Sequence, residues 1–164
     1  MSRKQRLDDL WEAVTFAEAG ETEVARRIAA EVFPVEAGRV GQRILAVSGA
    51  VGLSQRMVED SLGMAERLDF GLVALSVPSA VARLVARLGA GRERGDRLPP
   101  EAFGARAAER GIPFVHAVRS GDLERAVAET RRRFRRIAFL LIEPELAPRA
   151  RLAGVNVPIF CLTE

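Results

Sequence analysis

The residues with the clearest chemical potential directly follow a short apolar segment at positions 44–47. Gly49 and Gly52 stand three apart after Ser48, and Ser54 comes two residues later. If a strand ends and a helix begins here, the amides of this turn and the Ser54 hydroxyl could bind a small anion. A tight turn with Ser54 as an ordinary helix cap produces the same pattern, and this simpler interpretation is favoured.

Polar side chains also follow the other apolar segments that read as strands. If those strands are parallel, their carboxyl ends share one edge of a sheet, where open α/β sheets hold ligands. The candidate crevice residues are Ser48, Gly49, Gly52, Ser54, Ser76, Arg119, Ser120 and Glu143. This set contains no recognisable combination of nucleophile, base and orienting group. We therefore expect no catalytic residue, no metal site and no enzymatic activity.

The single histidine and the single cysteine both lie in apolar segments. His116 alternates with Val115 and Ala117, and the sequence shows no partner for it, which favours a structural role over a catalytic one. Cys161 is predicted to be an inert packing residue of the last segment. A single cysteine excludes an internal disulfide and a multi-cysteine metal site within one chain, which fits a reducing compartment.

The densest charge cluster is the run RRRFRR at residues 131–136. A basic run of this kind can contact nucleic acid. Cations at the end of a helix also complement its dipole, and upstream acids such as Glu129 dilute the charge. Because the net charge of the whole chain is only +3, a solvated helix face is favoured and nucleic acid is not expected as a partner.

Composition limits the class of protein. The chain has 164 residues, of which 48% are hydrophobic, enough to close one core of ordinary size. Acidic residues interrupt the first apolar ones, so the amino terminus does not read as a signal sequence, and no uncharged apolar run approaches the length of a membrane span. We expect a soluble cytoplasmic protein that does not associate with membranes.

Helix-like and strand-like segments alternate along the chain. Residues 7–33 show helical spacing broken at Gly20, which predicts a helical hairpin anchored mainly by Trp11. Later apolar runs predict five strands, at 44–47, 72–77, 112–118, 137–142 and 157–163, and helices at about 54–68, 79–88, 101–110 and 123–135. Residues 89–100, rich in glycine, proline and charge, are predicted to form a mobile loop. A short helix through Leu152 is expected before the last strand.

The order of these segments sets the fold class. Strands separated by helices predict an α/β fold with a five-stranded, parallel, doubly wound, Rossmann-like sheet and an added N-terminal helical hairpin. Residues 137–142 are the most apolar strand and should lie in the sheet interior. The expected units are the hairpin at 1–38 and the α/β domain at 39–164.

From Arg43 to its end, the chain resembles the universal stress protein family, which belongs to the adenine nucleotide alpha hydrolase-like folds. The matching pieces are the Ile-Leu-Ala-Val strand opening at 44–47, the helix end Ala65-Glu66-Arg67-Leu68, the strand Gly71-Leu72-Val73-Ala74-Leu75, the joint Ala108-Glu109-Arg110-Gly111-Ile112, the turn Arg119-Ser120-Gly121-Asp122 and the closing Val157-Pro158-Ile159.

The resemblance also shows where this chain departs from the family. Members that bind ATP carry an aspartate just after the first strand and a glycine-rich phosphate loop after the fourth. Here Ser48 holds the first place and Glu143-Pro144-Glu145 the second. Acidic side chains repel phosphate and proline lacks an amide donor, so we expect no ATP bound in the family's manner and no cofactor.

One alternative stays open: a drifted site that still binds nucleotide, ATP or AMP. Its ligand contacts would come from Ser48, Gly49, Gly52, Ser76 and Arg119.

The last strand should lie at a sheet edge, where its unpaired backbone groups need cover or a partner. The resemblance implies a two-fold homodimer through this edge, and the residues assigned to it are Val157, Ile159, Phe160, Cys161 and Leu162. The alternative cover is the N-terminal hairpin, which is also a candidate surface for a protein partner. Together these expectations describe a non-catalytic, dimeric regulatory or binding module.

Overall fold

The computed structural model describes residues 3–32, 41–80, 84, 97–149 and 157–162. Its helices are α1 (Arg3–Glu18), α2 (Thr22–Val32), α3 (Gln55–Leu68), α4 (Pro100–Glu109) and α5 (Leu123–Arg133), with a 3-10 helix at Pro144–Arg149. Its strands are β1 (Arg43–Ser48), β2 (Leu53–Ser54), β3 (Gly71–Ser76), β4 (Arg97–Leu98), β5 (Phe114–Val118), β6 (Ile137–Ile142) and β7 (Ile159–Cys161).

Five of these strands form one parallel sheet in the order β5-β3-β1-β6-β7. This confirms the predicted five-stranded, parallel, doubly wound α/β fold. Strand β6 lies between β1 and β7 and is buried along its whole length, as its apolar sequence predicts. The strand order places α3 and α4 on one face and α5 on the other, because right-handed crossovers reverse side when the chain turns back past β1.

The N-terminal hairpin, predicted from helical spacing, is present. It covers the rest of the sheet face against which α3 and α4 pack. The crossover rule leaves that face uncovered above β6 and β7. Helix α1 occupies this place: Leu10, Ala13, Val14 and Ala17 are buried in the same apolar cluster as Phe139 of β6. The hairpin is therefore part of the main core.

Trp11 is not the main anchor of the hairpin, contrary to the sequence prediction. Its side chain is 55% exposed, whereas that of the neighbouring Leu10 is 1% exposed. Trp11 contacts the ring of Phe160 edge-on, with 4.7 Å between ring centroids. The helix turns its stripe of leucine, valine and alanine toward the sheet, and the indole lies at the border of the interface.

Several predicted features fall outside the described residues. These are the unit boundary at 38/39, most of the helix at 79–88, most of the loop at 89–100 and the part of the short helix after Arg149. Within that loop, Arg97 and Leu98 form β4, which pairs antiparallel with β2. The sequence analysis predicted neither of these two strands.

Strand β7 lies at one edge of the main sheet. The amide of Leu162 donates to the carbonyl of Ile142, so the amides of Ile159 and Cys161 point away from β6, because alternate groups of a strand face opposite sides. Cys161 is exposed, so its predicted role as a buried packing residue is wrong. The reason is that Cys161 lies in an edge strand, none of whose three residues is fully buried.

Candidate functional site

The ends of three strands bring candidate residues together at the carboxyl-terminal end of the sheet. Ser48 ends β1 in register with Ser76 at the end of β3, and Glu143 directly follows β6. Side chains two residues apart in a strand point to the same face of the sheet. Ser48, Ser76 and Glu143 therefore project to the same face as Ala46, Ala74 and the other core residues that pack against α3 and α4. The topology thus assembles the predicted crevice on one face.

Glu143 lies at the centre of this end of the sheet, and the residue as a whole is 1% exposed. Its Oε2 accepts a hydrogen bond from Ser48 Oγ at 2.8 Å, and its Oε1 accepts one from the Ser54 amide at 2.9 Å. Arg97 Nη1 lies 2.9 Å from Oε1 and 3.0 Å from Oε2. We call these four residues the Glu143 network.

The Glu143 network satisfies a group that is costly to bury. A carboxylate in a protein interior is strongly disfavoured unless it is paired and hydrogen-bonded. Here each oxygen accepts one bond from a neutral donor and one from a guanidinium nitrogen, and charge-assisted bonds of this kind are the stronger type. The negative charge that should repel a phosphate at the exit of β6 is thus balanced internally.

Arg97 also holds the short β2–β4 pair over the network. Its Nη1 also lies 3.0 Å from Ser48 Oγ and 3.4 Å from the Gly52 carbonyl oxygen, so these contacts share its two hydrogens with Glu143. Its Nη2 lies 3.6 Å from the exposed carboxylate of Glu145. Gly52 has a φ of +81°, and a Cβ there would lie 2.5 Å from the carbonyl oxygen of Leu98. Only glycine allows this close approach of the two backbones.

Polar groups of the turn after β1 form hydrogen bonds with other groups of the chain itself. The amide of Ala50 donates to Ser48 Oγ at 3.1 Å, and Ser54 Oγ accepts from the amide of Met57 as the cap of α3. The Leu146 side chain from the 3-10 helix fills the space beside Gly49. These contacts match the simpler interpretation, a tight turn followed by an ordinary cap.

A second polar contact joins the end of β3 to the middle of β5. Ser76 Oγ lies 3.1 Å from His116 Nε2, and Ser76 is 1% exposed. Burial lowers the pKa of His116, and the nearby charge of Glu101 partly opposes this by raising it. The imidazole is therefore held toward its neutral form, and Ser76 is the partner that the sequence did not reveal.

The structure does not bring Arg119 into the Glu143 network. Its Nη1 donates to the carbonyl of Val118 at 3.0 Å, and its amide donates to the carbonyl of Ser76. Ser120 follows it at the exposed surface. Of the eight predicted crevice residues, the structure joins Ser48, Ser54 and Glu143 directly, with Gly52 linked to them through Arg97.

Sequence reasoning missed Arg97, which lies in the segment predicted to be a mobile loop. One signal could have indicated it. Glu143 directly follows the fully apolar strand at 137–142, and a carboxylate entering a core there requires a cation. That requirement does not say which of the many arginines supplies it.

The described part of the chain contains neither a metal-binding cluster nor a membrane-spanning helix. No group of three or more histidine, cysteine, aspartate or glutamate side chains there could hold a metal ion. Among the same residues, no helix is both long enough and apolar enough to span a bilayer.

Solved structures of other proteins share this architecture. No protein-family model matches the sequence, and no curated protein matches it. A crystal structure from the universal stress protein family of Burkholderia pseudomallei is similar, with 15% sequence identity and a TM-score of 0.55 over 77% of this chain and 99% of that one. A universal stress protein solved in complex with cAMP shares 15% identity over 75% of this chain and 97% of its own, with a TM-score of 0.46. The first of these similarities shows that the chain has the fold of the universal stress proteins.

Proposed function

We propose that this chain is a universal-stress-protein-like regulatory or binding module of the cytoplasm, without catalytic activity, that does not bind ATP in the family's usual manner. The observation that carries the proposal is the Glu143 network. The Glu143 carboxylate accepts hydrogen bonds from the donors that a bound anion would use at the carboxyl-terminal end of the sheet. These donors are the Ser48 hydroxyl, the Ser54 amide and the Arg97 guanidinium.

The energetic argument concerns displacement. A triphosphate at the exit of β6 must either separate Glu143 from Arg97 or bind without the donors that Glu143 already uses. Breaking a buried ion pair by removing one partner costs about 3–5 kcal/mol, which corresponds to roughly two to four orders of magnitude in affinity. This penalty supports a site that stays closed to ATP.

The absence of catalysis is proposed from the Ser76–His116 pair. Ser76 is almost fully buried, and no described side chain is hydrogen-bonded to the other ring nitrogen of His116. With its hydroxyl buried and no orienting group among the described residues, this pair lacks the arrangement of an activated nucleophile. The pair fits a structural role, tying β5 to β3.

A homodimer through β7 belongs to the same proposal. The outward amides of β7 and the half-buried side chains of Ile159 and Phe160 form an edge of the kind that proteins normally pair or cover. Trp11 extends this apolar surface beside Phe160. A second copy meeting β7 would continue the sheet, while the hairpin stays available to a different protein.

The second candidate is a drifted nucleotide site that still binds AMP or ATP. One observation favours it: the polar pair Ser76 and His116 lies beside the Glu143 network without being part of it. A ligand that uses only this side of the crevice would not need to displace Glu143.

The testing experiment is an analysis of nucleotide retained by the protein. The wild-type chain is purified gently without added nucleotide, denatured, and its supernatant is separated by ion-pair chromatography. We expect neither ATP nor ADP in stoichiometric amount. Either nucleotide at close to one molecule per chain contradicts the proposal, and AMP alone supports the drifted site.

A further inference from the structure

Four arginines lie at the end of the sheet opposite the crevice. Helix α5 ends at Arg133 and β6 begins at Ile137, so the residues between them lie at the amino end of β6. The arginine cluster, as we call it, consists of Arg131, Arg132, Arg133 and Arg135. The last three are exposed and Arg131 is partly so. Within the described residues, none of the four forms an ion pair with a carboxylate.

The structure removes one reason for regarding this run as an ordinary solvated face. That interpretation relied on upstream acids to dilute the charge. Glu129 instead pairs with Arg125, at 2.9 Å, and is therefore already matched. Glu124 is in the first turn of α5, and a rise of about 1.5 Å per residue places it about 10 Å along the axis from Arg131.

The helix dipole does not account for the cluster either. The carboxyl end of a helix carries the equivalent of about half a negative charge. One arginine more than balances that charge, so the other three contribute an excess of positive charge that repels itself. A surface of this kind is suited to a partner with closely spaced negative charges.

We infer that the arginine cluster binds the phosphate backbone of nucleic acid without reading base sequence. The planar guanidinium donates two parallel hydrogen bonds to a phosphate and is less strongly hydrated than a lysine ammonium. Contacts to phosphates position a protein on nucleic acid and carry no sequence information of their own. This inference supplies a partner class for the proposed binding module and is independent of the Glu143 network.

An anionic membrane is the competing partner, and the cluster fits it less well. Peripheral membrane binding combines basic residues with apolar side chains that enter the bilayer. Phe134 is the one apolar residue in the run, and it is half-buried with the guanidinium of Arg133 placed 5.5 Å from its ring centroid. No exposed apolar side chain of the run is available for insertion.

The expected signature is a steep dependence on salt. For duplex DNA, four phosphate contacts predict a slope of about −3.6 for the logarithm of the association constant against the logarithm of salt concentration. Between about 50 and 200 mM salt, the affinity should therefore fall roughly 150-fold.

The test measures fluorescence anisotropy of labelled single strands and duplexes of mixed sequence, for RNA and DNA, with the intact chain. The double variant R132Q/R133Q is compared with R27Q/R56Q, which removes the same charge from α2 and α3, on the other face of the sheet from α5. Circular dichroism establishes that both variants are folded. We expect the first variant to bind at least about tenfold more weakly at about 50 mM salt and to halve the slope, and the control to bind like wild type.

Three results overturn the inference. The first is no binding by wild type at low salt. The second is an equal loss in R27Q/R56Q, which would show a general charge effect. The third is binding to phosphatidylserine vesicles without binding to any of the nucleic acids. None of these results bears on nucleotide retention, so the inference and the proposed function fail separately.

Discussion

Arg97 Nη1 lies within 3.0 Å of both carboxylate oxygens of Glu143, and this pair joins two segments that are 46 residues apart in the sequence. The Glu143 side chain is 2% exposed and that of Arg97 is 17% exposed. The pair therefore connects the end of β6, the turn after β1 and the β2–β4 pair in a nearly dry environment.

Removing the cation alone should be strongly destabilising. We expect Arg97→Met to lower the free energy of unfolding by about 3 kcal/mol or more, because a buried carboxylate loses its charge partner. Urea denaturation followed by circular dichroism measures this. Glu145→Ala is the control: that side chain is 71% exposed, so its loss should cost less than about 1 kcal/mol. A cost for Arg97→Met as small as that of the control would show that the pair does not stabilise the fold.

The double variant R97M/E143Q tests the reason for that loss. Glutamine has the shape of glutamate without its charge. Its carbonyl oxygen can accept from the Ser54 amide, and its amide nitrogen can donate to Ser48 Oγ. We expect the double variant to be more stable than R97M alone, because the uncompensated charge is gone. Additive losses in the two single variants and the double would contradict an interaction between the two charges.

His116 should make the fold sensitive to mild acid. Burial, the larger influence, lowers its pKa in the folded chain relative to the ordinary value of 6.5, so the unfolded chain takes up a proton more readily. Its contribution to stability is present above pH 6.5 and is lost as the pH falls through that value toward the lower folded pKa. The decrease in melting temperature over this range should be smaller in His116→Gln. An equally steep decrease in wild type and variant would show that His116 is not the titrating group.

The hairpin should unfold together with the α/β domain. Leu10→Ala is expected to cost about 2–5 kcal/mol, because Leu10 is fully packed against the sheet. Trp11→Ala should cost less, because more than half of the indole is exposed. Urea titrations of both variants measure this, and the reverse order would contradict the packing described. In wild type, the fluorescence of this single tryptophan and the far-ultraviolet circular dichroism should change in one common transition.

The edge of β7 should mediate dimerisation. Size-exclusion chromatography with light scattering is expected to give a dimer for wild type at micromolar concentration and a monomer for Cys161→Lys, because a charged side chain on a sheet edge discourages pairing. Val51→Lys changes another exposed apolar position, away from β7, and should stay dimeric. A monomeric wild-type protein would exclude the proposed dimer.

The fold could be predicted because local pattern and tertiary environment agree. Strands β1, β3 and β6 are buried on both faces, and such strands appear in a sequence as continuous apolar runs. Ser54 and Gly111 mark a helix start and a helix end by side-chain and backbone chemistry that acts over a few residues. These features needed no knowledge of distant contacts.

The site could be predicted only in part because its decisive contacts are long-range. The position of Ser48 and Glu143 at the carboxyl-terminal end of the sheet follows from strand order alone. The pairing of Ser76 with His116 depends on the register between β3 and β5, which the sequence does not specify. The contribution of Arg97 depends on the β2–β4 pair, whose two-residue strands carry no periodic signal.

The central claim is that Glu143 occupies the place of an anion and thereby closes the crevice to ATP. Isothermal titration calorimetry of the wild-type chain with ATP, ADP and AMP in the presence of magnesium tests it most directly. We predict no saturable heat with ATP or ADP. One-to-one binding of ATP with a dissociation constant in the micromolar range would contradict the claim.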